Sequence, residues 1–293
     1  MEMVQISASM VKELRERSGA AMMECKKALV ESSGDFDKAI EWLRNKGAAT
    51  ASKKASRATS EGLVVGKVSD CGKQAVIVEV NCETDFVARN EQFGEICSKL
   101  VDVALENKCK SAEELLSAKC EDKTVQEFIT AAIAKTGENI QLARADYFAT
   151  EGEGVIGLYI HKLGGKMGAL VELKADKACD VDKAGELARE LAMHIVSTKP
   201  EYLNREDVPK EIIEEERRIE SGKSDLDKKP DDIKEKIISG RVDKILAERC
   251  LSEQPFVKDP SVTVAKLLEN ASKEQGVKFK PSRYSLFILG EGQ

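Results

Sequence analysis

Gly152, Gly154 and Gly157 stand at the spacing G-x-G-x-x-G, with which a dinucleotide-binding turn brings its backbone up to a pyrophosphate. That use needs a strand before the glycines and a helix after them, whereas here they lead into VIGLYIH, a strand-like run. Gly165-Lys166 has the end of a phosphate loop but neither the earlier glycine nor the following Ser or Thr, whose place Met167 takes. The chain is therefore expected to bind no nucleotide and no cofactor itself. His161 and His194 come from different elements, with no G-x-S-x-G and no Ser or Cys partner that would build a nucleophile. The eight cysteines, at 25, 71, 82, 97, 109, 120, 179 and 250, contain no C-x-x-C pair, and read as reduced thiols rather than zinc ligands or a redox couple. Carboxylates such as Glu214, Glu215 and Glu216 lie in solvated charged runs. Asn270-Ala271-Ser272 is a glycosylation sequon without a secretory context. No catalytic constellation and no metal site follow from the sequence, which points away from an enzyme.

Two segments are better suited to holding a partner. Asn81-Cys82-Glu83-Thr84-Asp85-Phe86-Val87-Ala88-Arg89-Asn90 follows a strand-like run and precedes a helical one. Thr84 and Asp85 side chains can fix a turn there. Phe86 then has two placements: packed on the start of the next helix as a staple, or turned outward as an aromatic anchor. The second segment is Met22-Met23-Glu24-Cys25-Lys26-Lys27-Ala28-Leu29. Adjacent methionines cannot both face one core, so one is expected to pack and the other to form an exposed, adaptable contact, the alternative being that both are partly buried.

The elements that carry these segments can be read from apolar spacing. Met10, Val11 and Leu14, then Met22, Cys25 and Leu29, then Phe36, Ala39, Ile40 and Leu43 recur at helical intervals, with Ser7 and Asp35 as N-caps and Gly19, Gly34 and Gly47 as stops. Residues 1–47 are thus a three-helix domain. AATASKKASRATS (48–60) has no large apolar residue and reads as a linker, in part helical. EGLVVGKVSDCGKQAVIVEV (61–80) and EGVIGLYIHKLGGKMGALVEL (153–173) are related hairpins, an internal duplication. Each is followed by an amphipathic helix, through Phe93, Ile96, Leu100, Val101 and Ala104 or through Leu187, Leu191 and Ile195, covering one apolar sheet face. Third strands are expected at Ile140–Ala149 and Val277–Leu289. The fold class is α+β, with two related core subdomains built on antiparallel sheets, at 61–150 and at 151–207 with 251–293. Residues 208–250 are rich in charge, with Ile212, Ile213, Ile219, Ile233, Ile237, Ile245 and Leu246 at helical spacing and a break at SGKSDLDKKP, which reads as an inserted antiparallel helical hairpin, a thin coiled coil.

Composition sets the outer bounds. The 293 residues suffice for about two domains, with 42% hydrophobic residues, enough for a sizeable core. No run approaches the ~18 apolar residues of a membrane helix, and Met1 to Lys12 lacks the features of a signal peptide. A cytoplasmic protein is expected. With 52 acidic against 46 basic side chains the net charge is −6, which disfavours broad contact with nucleic acid or anionic membrane. Lys53, Lys54 and Arg57 form a basic patch too short for RNA, with no aromatic interleaved to stack bases.

Met22–Leu29 and Thr84-Asp85-Phe86-Val87-Ala88 closely resemble the two signature motifs of the bacterial elongation factor Ts family. So do, in order along the chain, Val11–Arg17, Gly137-Glu138-Asn139-Ile140, Ala192-Met193-His194, Lys199-Pro200-Glu201 and Gln254-Pro255-Phe256-Val257. The resemblance implies a guanine-nucleotide exchange factor for elongation factor Tu, acting by binding, with a ubiquitin-associated (UBA-like) N-terminal domain. By position, Met22, Met23 and Lys26 match the N-terminal contact to the partner's GTPase domain. Thr84, Asp85, Phe86 and Val87 match the segment whose phenylalanine enters a slot beside the partner's switch region. His161, at the tip of the second hairpin, matches a contact to a more distal domain of the partner. In some relatives the helical hairpin forms a homodimer, which stays open for this chain. Thr136 stands where the family often has an aliphatic contact residue, and no role is carried onto it. Some relatives continue beyond Gly290-Glu291-Gly292-Gln293 into a helix that clasps the partner, a contact expected to be missing. A rival reading is an adaptor whose three-helix domain binds helices or ubiquitin-like folds, with no need for Asp85-Phe86.

Overall fold

The computed structural model describes residues 6–226 and 229–291. The start of the first expected domain, two residues of the SGKSDLDKKP break and the last two of the chain lie outside the described residues. The chain divides into two compact units, one made of Met1–Val65, Val76–Tyr147 and Ile288–Gln293, the other of Gly66–Ala75 and Phe148–Phe287. The class is α+β with small antiparallel sheets.

The first unit opens with α1 (Ala8–Ser18), α2 (Met22–Glu31) and α3 (Phe36–Lys54). Ser7 and Asp35 are side-chain N-caps, accepting from the amides of Met10 at 3.2 Å and Lys38 at 3.1 Å. Gly19 ends α1 in the left-handed region, φ 67°. Val11, Leu14, Cys25, Ala28, Leu29 and Ala39 form the shared core, with Phe36, Ile40, Trp42 and Leu43 packed on it. Two expectations are corrected here. Met22 is no core residue, and Gly47 does not stop α3, which runs seven residues further to Lys54. The alanine-rich stretch after Gly47 keeps enough helix propensity to outweigh one glycine. Gly47 is buried, and a Cβ there would lie 3.6 Å from that of Ala134, an ordinary contact.

The sheet that follows has the order β1 (Glu61–Val68), β2 (Gln74–Cys82) and, third, a strand reached only after several helices. These are α4 (Asp85–Ala88), α5 (Glu91–Asn107), α6 (Ala112–Ser117), a small ribbon of β3 (Lys119–Cys120) with β4 (Lys123–Thr124), and α7 (Val125–Thr136). The third strand is β5 (Ile140–Ala149), with the bounds expected. β2 is buried on both faces from Ala75 to Cys82, not on one face, which fits its nearly unbroken apolar run. Phe93, Cys97, Leu100, Val101 and Ala104 are the buried side of α5.

The second unit repeats the plan with β6 (Gly154–Ile160), β7 (Met167–Ala175) and α8 (Val181–Thr198). β6 and β7 pair antiparallel from Gly154↔Lys174 to Ile160↔Gly168. Leu187, Leu191 and Ile195 of α8 join Val155, Val171 and Leu173 in one core. Next come α9 (Lys210–Ser221) and α10 (Asp231–Arg249), packed together around Val208, Leu226, Ile238, Val242, Leu246 and Cys250, with Ile212, Ile213 and Ile237 beside them. Ile219 and Ile233, expected on the same stripe, are instead exposed. β8 (Pro255–Phe256), β9 (Asp259–Thr263) and α11 (Val264–Gln275) lead to β10 (Phe279–Ile288), and the sheet order is β10-β7-β6.

The two sheets share local detail. Gly62 and Gly154, each after a glutamate, have φ of 147° and 139°, and a Cβ on either would strike a backbone carbonyl, of Val80 at 2.2 Å or Leu173 at 2.5 Å. The middle strands each bury a glutamate on an arginine of the third strand: Arg144 Nε donates to Glu79 at 2.8 Å, and Arg283 Nε to Glu172 at 2.9 Å. Gly157, the last glycine of the G-x-G-x-x-G run, lies in strand β6 where the Ala188 backbone of α8 crosses; a Cβ there would come 2.2 Å from a backbone atom. Its smallness serves packing.

Candidate partner-binding site

Thr84 is the best-fixed residue of the candidate site. It leaves β2 in an extended conformation (φ −129°, ψ 155°) and caps α4, its Oγ1 accepting the Val87 amide at 3.3 Å. The same hydroxyl donates to Glu138 Oε1 at 2.7 Å while the Thr84 amide donates to Glu138 Oε2 at 3.1 Å. Its carbonyl accepts the Ala88 amide at 3.1 Å and the Cys82 thiol at 3.2 Å. Burial, aided by the charge of Glu138, pushes that thiol up to about 11, so it stays a donor at neutral pH. One residue earlier, Glu83 Oε1 accepts the Asn139 amide at 2.6 Å and lies 3.4 Å from Arg57. The Asn139 amide first, then Arg57, hold the Glu83 carboxyl below the usual carboxylate range. Thr84 fixes the turn as expected. Asp85 instead pairs with Arg89 at 3.3 Å on the helix surface.

This frame decides between the two placements of Phe86. Ala88 faces inward and is buried, Val87 is half-buried, and Phe86 projects into solvent at 85% exposure. A four-residue helix with one inward face cannot also fold its second side chain back onto α5. The outcome is an exposed aromatic ring on a hydrogen-bonded base, not a staple.

On α2 both methionines are exposed, Met22 at 52% and Met23 at 62%, against the expectation that one would pack. At about 100° per residue, Met22, Lys26, Val30 and Met23 span an arc of roughly 100°. Cys25, Ala28 and Leu29 occupy the adjoining arc, Leu29 only about 20° from Met22, and supply the core. Lys26 is exposed in the middle of the arc, and Val30, at 57% exposure, extends it by a further turn. Val30 was missed in the sequence; its spacing of eight from Met22 and seven from Met23 was the available signal.

The structure thus gathers Thr84, Asp85, Phe86 and Val87 on one short helix and Met22, Met23 and Lys26 on another, both in the first unit. His161 belongs to the second unit. It lies at the end of β6, half-buried, its amide bonded to the Met167 carbonyl at 2.8 Å and its Nδ1 3.2 Å from Tyr159 Oη. His194 is enclosed between α8 and the 254–257 segment. Its Nε2 is 2.9 Å from Gln254 Oε1 and its Nδ1 accepts the Val257 amide at 3.2 Å, so the bonds are complete for the neutral ring with its proton on Nε2. Among the described residues no group of His, Cys, Asp and Glu could hold a metal ion, and no helix is long and apolar enough to cross a membrane.

Residues 83–291 match the family described as Elongation factor TS. Elongation factor Ts of Syntrophotalea carbinolica is 46% identical over 292 residues, covering 99% of this chain and 94% of the relative. That of Nitratiruptor sp. is 44% identical over 287 residues (98% and 94%), and that of Nostoc sp. 43% over 297 residues (99% and 94%). The chain belongs to the elongation factor Ts family. The family match opens at Glu83, the first residue of the Thr84 frame, while the alignments to these elongation factor Ts proteins cover almost the whole chain and so take in α2 as well.

Proposed function

We propose that this elongation factor Ts protein is a guanine-nucleotide exchange factor: it binds elongation factor Tu and promotes release of GDP so that GTP can bind during polypeptide elongation. The observation that carries the reading is Phe86, held 85% exposed on a turn fixed from both sides. The ring enters an apolar slot beside the partner's switch region and displaces the groups that hold magnesium and phosphate. Magnesium demands near-ideal octahedral geometry, and a phosphate loop works through an ordered array of backbone amides, so a small displacement costs much nucleotide affinity. Burying one phenylalanine contributes about 1.5–3 kcal/mol, one to two powers of ten. Met22, Met23 and Lys26 on the same GTPase domain, and His161 on a distal domain, supply the rest. No covalent step is involved, and the site of action is the cytoplasm.

In this reading the first three helices are a UBA-like domain, expected at 1–47, whose third helix runs on into the expected linker to Lys54. The two related core subdomains are 61–150 and 151–207 with 251–293, and α9 and α10 form an antiparallel helical hairpin (208–250). The paired glycines and paired glutamate–arginine contacts support the duplication.

Linkage gives the test. A factor that weakens GDP by some ratio must itself be weakened by GDP in the same ratio. Calorimetric titration of nucleotide-free elongation factor Tu and of its GDP complex should give two affinities for this protein whose ratio matches its effect on GDP affinity. Equal affinities for both forms would sink exchange and favour a simple adaptor.

A further inference from the structure

Glu138 lies on the turn between α7 and β5, remote in sequence from Phe86. Both of its carboxylate oxygens are nevertheless committed to Thr84, one to the amide at 3.1 Å and one to the hydroxyl at 2.7 Å. Thr84 is the N-cap of the single helical turn that carries Phe86. An isolated turn of four residues has almost no stability of its own, so its conformation rests on what holds the cap.

The turn bearing Glu138 is itself anchored. Gly137 closes α7 in the left-handed region at φ 80°, its amide bonded to the Ile133 carbonyl at 3.0 Å. The Glu138 amide donates to Thr136 Oγ1 at 3.3 Å, and that hydroxyl donates to the Ala132 carbonyl at 2.9 Å. Thr136, which had no role from the family pattern, therefore braces Glu138. Asn139 sends its amide to Glu83 at 2.6 Å and its side-chain Nδ2 to the Arg57 carbonyl at 3.0 Å, while Lys54 Nζ donates to the Gly137 carbonyl. The turn consequently grips the Phe86 segment on one side and the end of α3 on the other.

We infer that Glu138 is a positioning residue for exchange, acting through Phe86: its two-oxygen grip on Thr84 keeps the aromatic ring presented before the partner arrives. A pre-ordered anchor binds without first having to be immobilised. The inference rests on the exchange reading.

The test is a double-substitution cycle, read as the second-order rate of GDP release from elongation factor Tu. Glu138→Ala should slow that rate on the order of tenfold, the scale of a lost charge-assisted contact. In a Phe86→Ala background the same substitution should change little, because nothing remains to be positioned. Glu138→Gln should restore most of the rate, since the amide oxygen can accept the Thr84 N–H while its nitrogen donates to Oγ1. Thr136→Val, which keeps the shape and removes the brace, should lose less than Glu138→Ala. Losses that multiply independently in the two backgrounds, or a Glu138→Ala protein as fast as wild type, would overturn the inference while leaving exchange intact. Failure of the wild-type protein to accelerate release at all would instead overturn the exchange reading.

Discussion

A phenylalanine ring and two methionines left in water mark where apolar surface is held back from the core. Phe86 stands on a fixed turn, whereas Met22 and Met23 lie on a helix whose core-facing arc is already taken by Cys25, Ala28 and Leu29. Because neither methionine contributes to the core, Met22→Ala with Met23→Ala should leave thermal unfolding within about 0.5 kcal/mol of wild type. The same pair should weaken binding to elongation factor Tu by about tenfold or more, through lost apolar contact. A calorimetric melt beside a binding titration checks both; a large fall in melting temperature would mean that these side chains are structural. Lys26→Glu should act chiefly on the association rate and its salt dependence.

At the scale of elements, two glycines separate close packing from tolerance. Gly157→Ala would drive a Cβ to 2.2 Å from the Ala188 backbone and should destabilise by about 3 kcal/mol, at the upper end for overpacking. Gly47→Ala, inside α3 with room against Ala134, should stabilise by about 0.5–1 kcal/mol. Urea midpoints of the two variants should move in opposite directions. Much at this scale was legible in the sequence: the caps Ser7 and Asp35, both hairpins, α5 and α8, and β5 to the residue. Gly47 misled because a glycine after a periodic run reads as a stop, whereas the alanine-rich stretch beyond it carries the helix on to Lys54. Between α5 and β5, α6, β3 and β4 went unread because they are short, whereas α7 was announced by the capping box of Thr124 and Glu127 and was missed. The segments proposed as the site stand out in the sequence by residue type, but their posture does not. Staple and anchor use the same Phe86, and the Glu138 grip joins residues 54 apart.

For the molecule as a whole, acid should be the destabilising direction. Burial pushes His194 below its usual value of 6.5, and its neutral ring has both nitrogens bonded. The unfolded chain therefore binds the proton first, and stability falls as pH drops below 6.5 toward the depressed folded value. Glu172 adds a second step. Despite burial, hydrogen bonds, that of the Ser282 hydroxyl foremost and that of Arg283 among the rest, hold its carboxyl below 4.5, so its contribution is present above 4.5 and lost as pH falls through the folded value. Urea midpoints should decline between neutral pH and pH 5, and His194→Gln should flatten that decline; an unchanged slope in the variant would assign the acid sensitivity elsewhere. The central claim, that the exposed ring of Phe86 drives exchange, is tested most directly by stopped-flow release of a fluorescent GDP analogue from elongation factor Tu. Wild-type protein should accelerate release strongly, and Phe86→Ala should lose one to two powers of ten of that acceleration. Acceleration that survives Phe86→Ala undiminished would contradict the account.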